Sequence, residues 1–316
     1  MKPDKNFVLM FALALVSFFS ATAHADTGYS FTTLNDPNAA YGTYANGMSG
    51  NNIVGYYQDV SGAYYGFLYN GTSYTTLNDP IAINGTTSAN GIDGNNIVGN
   101  YNDSSGYHGF LFNGTTYTPI IDPNATAHTY AQGISGNNIV GYYKDASGEN
   151  HGFIYNGTSY TTIDDPNASY FGKGEGGTVV TGISGNNIVG YYLDASHMYH
   201  GFLYNGTSYT TVNYPNDVFT KLIGISGNNI VGTNSNSGFL YNGTNYTTIN
   251  DPNATLGTIV EGVSGNSIVG YYYDASGLSQ GFLATPTSAA TPIPPSFLIL
   301  VSGLAGMGLL RKKKWA

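Results

Sequence analysis

Residues 131–166 read AQGISGNNIVGYYKDASGENHGFIYNGTSYTTIDDP, and four short extended segments separated by turns account for all of them. Ala131-Gln132-Gly133-Ile134-Ser135 reads as a strand and Gly136-Asn137-Asn138 as a turn. Ile139 to Tyr143 is a second strand, closed by Asp145-Ala146-Ser147-Gly148. His151 to Tyr155 is a third, Asn156-Gly157 a hairpin turn of the type that demands positive φ, and Ser159 to Ile163 a fourth. Asp164-Asp165-Pro166 ends the unit, because proline cannot continue a ladder. Strand residues are apolar or aromatic on both faces, as expected of strands covered on both sides.

The same grammar recurs along the chain. Gly-Phe steps stand at Gly66, Gly109, Gly152, Gly201, Gly238 and Gly281, spaced by 43, 43, 49, 37 and 43 residues. Four antiparallel strands per unit at this period predict the blades of a β-propeller, six of them. The sixth unit stops after Gly281-Phe282-Leu283 without its fourth strand, and a spare copy, Tyr29 to Leu34, precedes the first unit. The fold predicted is therefore an all-β six-bladed propeller whose N-terminal strand closes the last blade, leaving no unpaired ring edge. An insertion at Ser169 to Gly177, carrying Lys173 and Glu175, reads as a longer surface loop, and the turn Thr233 to Ser237 is shortened.

Composition narrows the chemistry. Cysteine is absent, which removes disulfides and thiolate metal sites. Between Asp26 and Pro292 three lysines (Lys144, Lys173, Lys221) face seventeen acids, a net charge of −14, so no nucleic-acid partner is expected.

The ends read as address labels around a propeller at 26–285. Residues 1–25 form a signal peptide: Lys2 and Lys5, then Phe7 to Ser20, then Ala23-His24-Ala25. Residues 286–295 are a Pro/Thr/Ser linker. Residues 296–316 combine the apolar run Phe297 to Leu310 with Arg311, Lys312, Lys313 and Lys314. Fourteen residues are short for a span of roughly 20, and the basic end stays cytoplasmic. With Pro292, Pro294 and Pro295, this tail resembles the PEP-CTERM class of sorting signals of diderm bacteria, with Pro-Ile-Pro-Pro-Ser in place of Pro-Glu-Pro. That resemblance implies transient membrane insertion, an exosortase-type partner, and export to the cell surface or matrix. The repeats resemble the HAF family of extracellular repeats through Gly133-Ile134-Ser135, Ile139-Val140-Gly141 and His151-Gly152-Phe153-Ile154. That family implies an exported protein and carries over no enzymatic activity.

Candidate site residues follow from the place of each acid in the repeat. Asp36, Asp79, Asp122, Asp164, Asp165, Asp217 and Asp251 fall at blade connections. Asp59, Asp103, Asp145, Asp194 and Asp274 fall on the turns between second and third strands. Both classes share one end of the ring, which makes one face acidic; Asp93 alone lies on the other. Aspartate at the first and glycine at the fourth position, as in Asp145 to Gly148, also suits a type I turn, the competing structural reason for these acids. The binding set predicted is Asp59, Asp103, Asp145, Asp194 and Asp274 with the loop tyrosines Tyr64, Tyr107 and Tyr199, aromatic rings to stack on sugars and carboxylates to bond hydroxyls. No cofactor is expected. Calcium is the ion that hard oxygen ligands would favour, but no EF-hand or RTX run occurs. His108, His151 and His200 recur one per blade, too far apart to share an ion, and are expected as solvated strand-end residues.

No nucleophile elbow, HExxH, Walker or dinucleotide motif is present. The function expected is a non-enzymatic scaffold or glycan-binding module of the extracellular polysaccharide matrix. Its rivals are a polysaccharide hydrolase or lyase and a purely structural coat protein.

Overall fold

A computed structural model describes residues 28–83, 85–126, 128–172 and 176–287. The leader, the linker beyond 287, the sorting residues from Pro292 to Lys314, Lys173 and Glu175 lie outside them. The described residues contain strands and turns and no helix.

β1 (Tyr29–Leu34) is followed by blade 1: β2 (Gly42–Ser49), β3 (Asn52–Gln58), β4 (Tyr64–Tyr69) and β5 (Tyr74–Leu77). Blade 2 holds β6 (Ser88–Asp93), β7 (Asn96–Asp103), β8 (Gly106–Phe112) and β9 (Tyr117–Ile120). Blade 3 holds β10 (Thr129–Ser135), β11 (Asn138–Lys144), β12 (Asn150–Tyr155) and β13 (Tyr160–Ile163). Blade 4 holds β14 (Thr178–Ser184), β15 (Asn187–Leu193), β16 (Tyr199–Tyr204) and β17 (Tyr209–Thr211). Blade 5 holds β18 (Thr220–Ser226), β19 (Asn229–Asn234), β20 (Gly238–Tyr241) and β21 (Tyr246–Ile249). Blade 6 holds β22 (Thr258–Ser264), β23 (Ser267–Tyr273) and β24 (Ser279–Pro286). Its fourth strand is β1, antiparallel to β24 from Tyr29↔Pro286 to Leu34↔Gly281. The chain is a six-bladed β-propeller of four-stranded antiparallel blades, closed by its N-terminal strand.

Core clusters sit between blades rather than within them. One joins Val54 of blade 1 to Leu77, Ala89, Ile97, Tyr101 and Phe110 across blades 1 and 2. The phenylalanine of each Gly-Phe step, Phe67, Phe110, Phe153, Phe202, Phe239 and Phe282, is fully buried. Every cluster draws on residues 29–284, so residues 28–287 carry a complete closed ring with its own core.

Six glycines close the ring at its axis. A Cβ on Gly47 would lie 2.5 Å from the Asn90 carbonyl, on Gly91 2.9 Å from that of Gln132, on Gly224 3.1 Å from that of Glu261, and on Gly262 2.8 Å from that of Asn46. Gly133 and Gly182 face the Cα atoms of Gly182 and Gly224 at 3.2 and 3.3 Å in the same sense. Each inner strand thus abuts the next blade's backbone all the way round.

Several local readings change. β10 begins at Thr129 rather than Ala131, because the buried Thr129 hydroxyl accepts the Asp122 N–H at 3.1 Å and draws those residues into the sheet. The Asn-Gly connection is a four-residue loop between Tyr155 and Tyr160, not a two-residue turn. Asn156 Oδ1 accepts from the N–H groups of Thr158 and Ser159 at 2.9 Å, and only Gly157 takes a positive φ, +92°. The tight two-residue turn is instead Gly136-Asn137, with Gly136 at φ +59° and Ser135 paired to Asn138, a type II′ geometry. The blade-four insertion is anchored, not merely a surface loop. The carboxylate of Glu149, 2% exposed, accepts from the backbone N–H groups of Phe171, Gly172 and Gly176.

Removing residues 28–34 leaves the β24 edge bare and strips Phe31 from Phe282, whose rings are 5.6 Å apart. Loss of the buried Leu34 alone removes about 1.5–3 kcal/mol, and the half-buried Phe31 adds to it. The truncated ring is expected to melt at lower temperature and to self-associate through that edge, read by thermal denaturation and size-exclusion chromatography. A monomer with unchanged Tm would contradict the closure.

Candidate functional site: the axial channel mouth

Strand alternation places the blade connections and the turns between second and third strands at one end of the channel. The acids at both stand on that face, as the repeat grammar requires.

Each inner strand carries one extra residue in its pairing with the second strand. The register slips between Ala45 and Gly47, Ala89 and Gly91, Ala131 and Gly133, Val180 and Gly182, Leu222 and Gly224, and Val260 and Gly262. A β-bulge bends its strand and re-aims the extra side chain. Here the extra residues are Asn46, Asn90, Gln132, Thr181, Ile223 and Glu261, and all six line the channel. The ring is chemically uneven: two asparagines, a glutamine, a threonine, an isoleucine and one carboxylate. Asn46 Nδ2 donates to the Ala89 carbonyl at 3.0 Å and Asn90 Nδ2 to that of Ala131 at 2.9 Å, bonds that tie each blade to the next.

Above this ring lies a cavity of ≈ 280 Å³ lined by Tyr56, Tyr142, Tyr191 and Tyr271, with Val179 completing its wall. The tyrosines follow the glycine of Ile-Val-Gly in four blades; Asn100 and Thr233 occupy the position in the other two. Further aromatic rings widen the cavity into a funnel. Tyr44 stacks on Tyr56 at 4.4 Å and meets Tyr271 edge-on at 4.9 Å. Tyr130 stacks on Tyr142 at 4.6 Å. Lys221 reaches the same wall, its Nζ 4.1 Å from the ring centroid of Tyr199, 4.6 Å from Tyr191 and 5.1 Å from Phe219. Burial lowers its pKa.

Glu261 is half-buried with its carboxylate opening onto the lumen, and it makes no hydrogen bond or ion pair among the described residues. Burial pushes its pKa up to about 7. Burial also raises the hydroxyls of Tyr56, Tyr191 and Tyr271, and the nearby Glu261 charge adds to each.

The predicted tyrosines adjoin this funnel. Tyr64 meets Tyr56 edge-on at 5.6 Å, Tyr107 stacks on Tyr130 at 5.7 Å, and Tyr199 meets Tyr191 at 5.7 Å. The predicted aspartates are held in their own turns. Oδ1 of Asp59, Asp103, Asp145, Asp194 and Asp274 accepts the N–H two residues on, at 2.7–2.8 Å. Hydrogen bonds, from the following serine hydroxyl above all in Asp59, Asp103, Asp145 and Asp274 and from the Met198 N–H in Asp194, lower their pKa values.

The histidines are not solvated strand ends. His108 pairs with Asp103 at 3.2 Å and His200 with Asp194 at 3.0 Å. His151 bridges Asp145 at 3.5 Å and Asp164 at 2.7 Å. All three side chains are at most 20% exposed, because third-strand residues lean onto the neighbouring turn. Among the described residues no group of three or more His, Asp or Glu side chains is placed to hold a metal ion.

Sequence reasoning missed the bulge ring. Its signal was present: the residue before the Gly-Ile-Ser step reads Asn, Asn, Gln, Thr, Ile and Glu through the six units, while its neighbours barely change.

No family model matches the sequence, and no curated protein matches it. Among solved structures the chain is similar to a fungal lectin from Aleuria aurantia, described as a six-bladed β-propeller with a novel fucose recognition mode. The TM-score is 0.51 and the identity 14%, over 80% of this chain and 99% of that one. It is also similar to the SapL1 lectin, solved with α-methyl fucoside, at TM-score 0.52 and 13% identity over 81% of this chain and 98% of that one. At these identities the likeness is one of fold: a six-bladed β-propeller.

Proposed function

We propose that this protein is a non-enzymatic, glycan-binding propeller, exported and sorted to the cell surface or extracellular polysaccharide matrix. The observation that carries the reading is the channel mouth, where tyrosine rings surround a polar floor of amides, hydroxyl and one carboxylate. Flat rings take the apolar faces of sugar rings, and fixed polar groups at the floor orient hydroxyls. The cavity, at ≈ 280 Å³, lies just below the roughly 300–1,000 Å³ range of small-molecule sites, a size suited to a single sugar residue at a chain end. The fold shared with fucose-binding lectins supports the reading. Export, the exosortase-type partner and transient insertion of the tail rest on the terminal motifs.

The hydrolase reading lacks a partner acid. Glycoside hydrolysis uses two carboxyl groups roughly 5–9.5 Å apart, and Glu261 is the one acid among the described residues lining the cavity.

Residues 28–287 are expected to be retained on the exopolysaccharide of the producing organism, with calcium or with chelator. Tyr142→Ala should weaken retention about fivefold, the worth of roughly 1 kcal/mol of ring contact. Absence of retention under both conditions sinks the proposal, and steady release of reducing ends establishes an enzyme instead.

A further inference from the structure

Resting on the glycan-binding reading, we infer that the channel mouth selects a cationic sugar: the ammonium group of an amino sugar enters the tyrosine cage and pairs with Glu261. Four observations converge on this chemistry. Glu261 is a half-buried carboxylate aimed into a cavity and without a partner among the described residues, so its charge is available to a ligand. Tyr56, Tyr142, Tyr191 and Tyr271 surround that cavity, and aromatic rings around a cation are the recognised way to hold ammonium. The funnel wall already holds one ammonium: Lys221 Nζ lies over three of its rings at 4.1–5.1 Å. The face around the mouth carries twelve aspartates, five of them buried and seven half-buried, and the latter make a field that draws cations in and repels uronates.

The floor fits the same ligand. An ammonium brings three donors and no acceptor. Asn46 and Asn90 spend their Nδ2 groups on neighbouring carbonyls, which leaves the Asn46 amide oxygen as an acceptor, while Asn90 Oδ1 already accepts from Asn46 Nδ2 at 3.4 Å. A hard dication would need several carboxylate oxygens, and the floor supplies one such group. Tyr56, Tyr191 and Tyr271 face Glu261, and burial holds their hydroxyls neutral well above neutral pH. Lys221 approaches the cage from the blade 5 side. Glu261 titrates near 7 in the free protein, so a fixed cation should bind more tightly as pH rises from 6 to 8.

Three probes test this on residues 28–287: a glucosamine oligosaccharide, its N-acetylated counterpart of equal length, and tetramethylammonium, whose charge does not titrate. Calorimetry at pH 7.5 should give the amine form at least about tenfold tighter binding than the acetylated form, ~1.4 kcal/mol. Glu261→Gln should abolish that preference, bringing the two forms to within about twofold of each other. In the unsubstituted protein, tetramethylammonium binding should strengthen from pH 6 to 8, and the Gln variant should flatten the profile. Equal binding of both oligosaccharides overturns the inference and leaves the glycan reading standing. Binding of tetramethylammonium with the stated pH profile, and of neither oligosaccharide, overturns the amino-sugar inference, and the glycan reading is then decided by retention on the exopolysaccharide. No binding by any probe overturns the inference.

Discussion

Replacing Gly141 by alanine is expected to destabilise the protein by about 3 kcal/mol or more, at the upper end of overpacking effects. Gly141 is the glycine of Ile-Val-Gly in blade 3, opposite the inner-strand bulge. A Cβ there would overlap the backbone carbonyl of Tyr130, and Gly55, Gly99, Gly190 and Gly270 meet Tyr44, Ser88, Val179 and Ile259 in the same way. The clash is backbone against backbone, so no side chain can swing aside. The inner strand would have to shift, and its other side already abuts the next blade at Gly133. A fall in Tm of roughly 6 °C or more should result. Gly136→Ala is the natural contrast. That residue has nothing within 4 Å of a new Cβ and meets only the strain of φ +59°, about 1 kcal/mol. A Gly141→Ala protein as stable as Gly136→Ala would show that the bulge is soft.

Glu261→Gln is expected to raise stability by up to about 3 kcal/mol at pH 8 and to change little at pH 4.5. The folded-state pKa is about 7 against 4.5 for the free side chain. Between those values the folded protein keeps a proton that the unfolded chain has released, so stability falls as pH rises through this window. Above it the full cost of an enclosed carboxylate is present, and a neutral amide of the same shape removes it. Asp36, Asp79, Asp122, Asp165 and Asp251 are also raised by burial, so a slope of the same sign should persist in the variant. Paired melts at pH 4.5 and 8 decide the matter; equal Tm shifts at both would place the carboxylate in bulk-like solvent. A group that lowers stability in the resting protein is one whose charge is held ready for a partner.

Much of the architecture was legible in residues 29–284 because a propeller is written in local chemistry. Turn residues, strand length and the Gly-Phe beat are short-range signals, and the missing fourth strand could be counted. The Asn156-Gly157 loop was misread because the dipeptide suits a two-residue turn, whereas Asn156 Oδ1 organises a four-residue one. The histidines were misread because their aspartate partners come from turns and connections, a proximity that burial creates.

The sequence by itself determined the number of blades, the strand that closes them and the acidic end of the ring, since each follows from order along the chain. Only the tertiary structure decided which of the acids faces a cavity. Asp59, Asp103, Asp145, Asp194 and Asp274 look equivalent to Glu261 in charge, yet each spends an oxygen on its own turn. Glu261 is the extra residue of a bulge, and a bulge is a mismatch between two paired strands that exists only once they pair. Closure of the six blades then brings six such residues, 38 to 49 positions apart in the chain, to one axis.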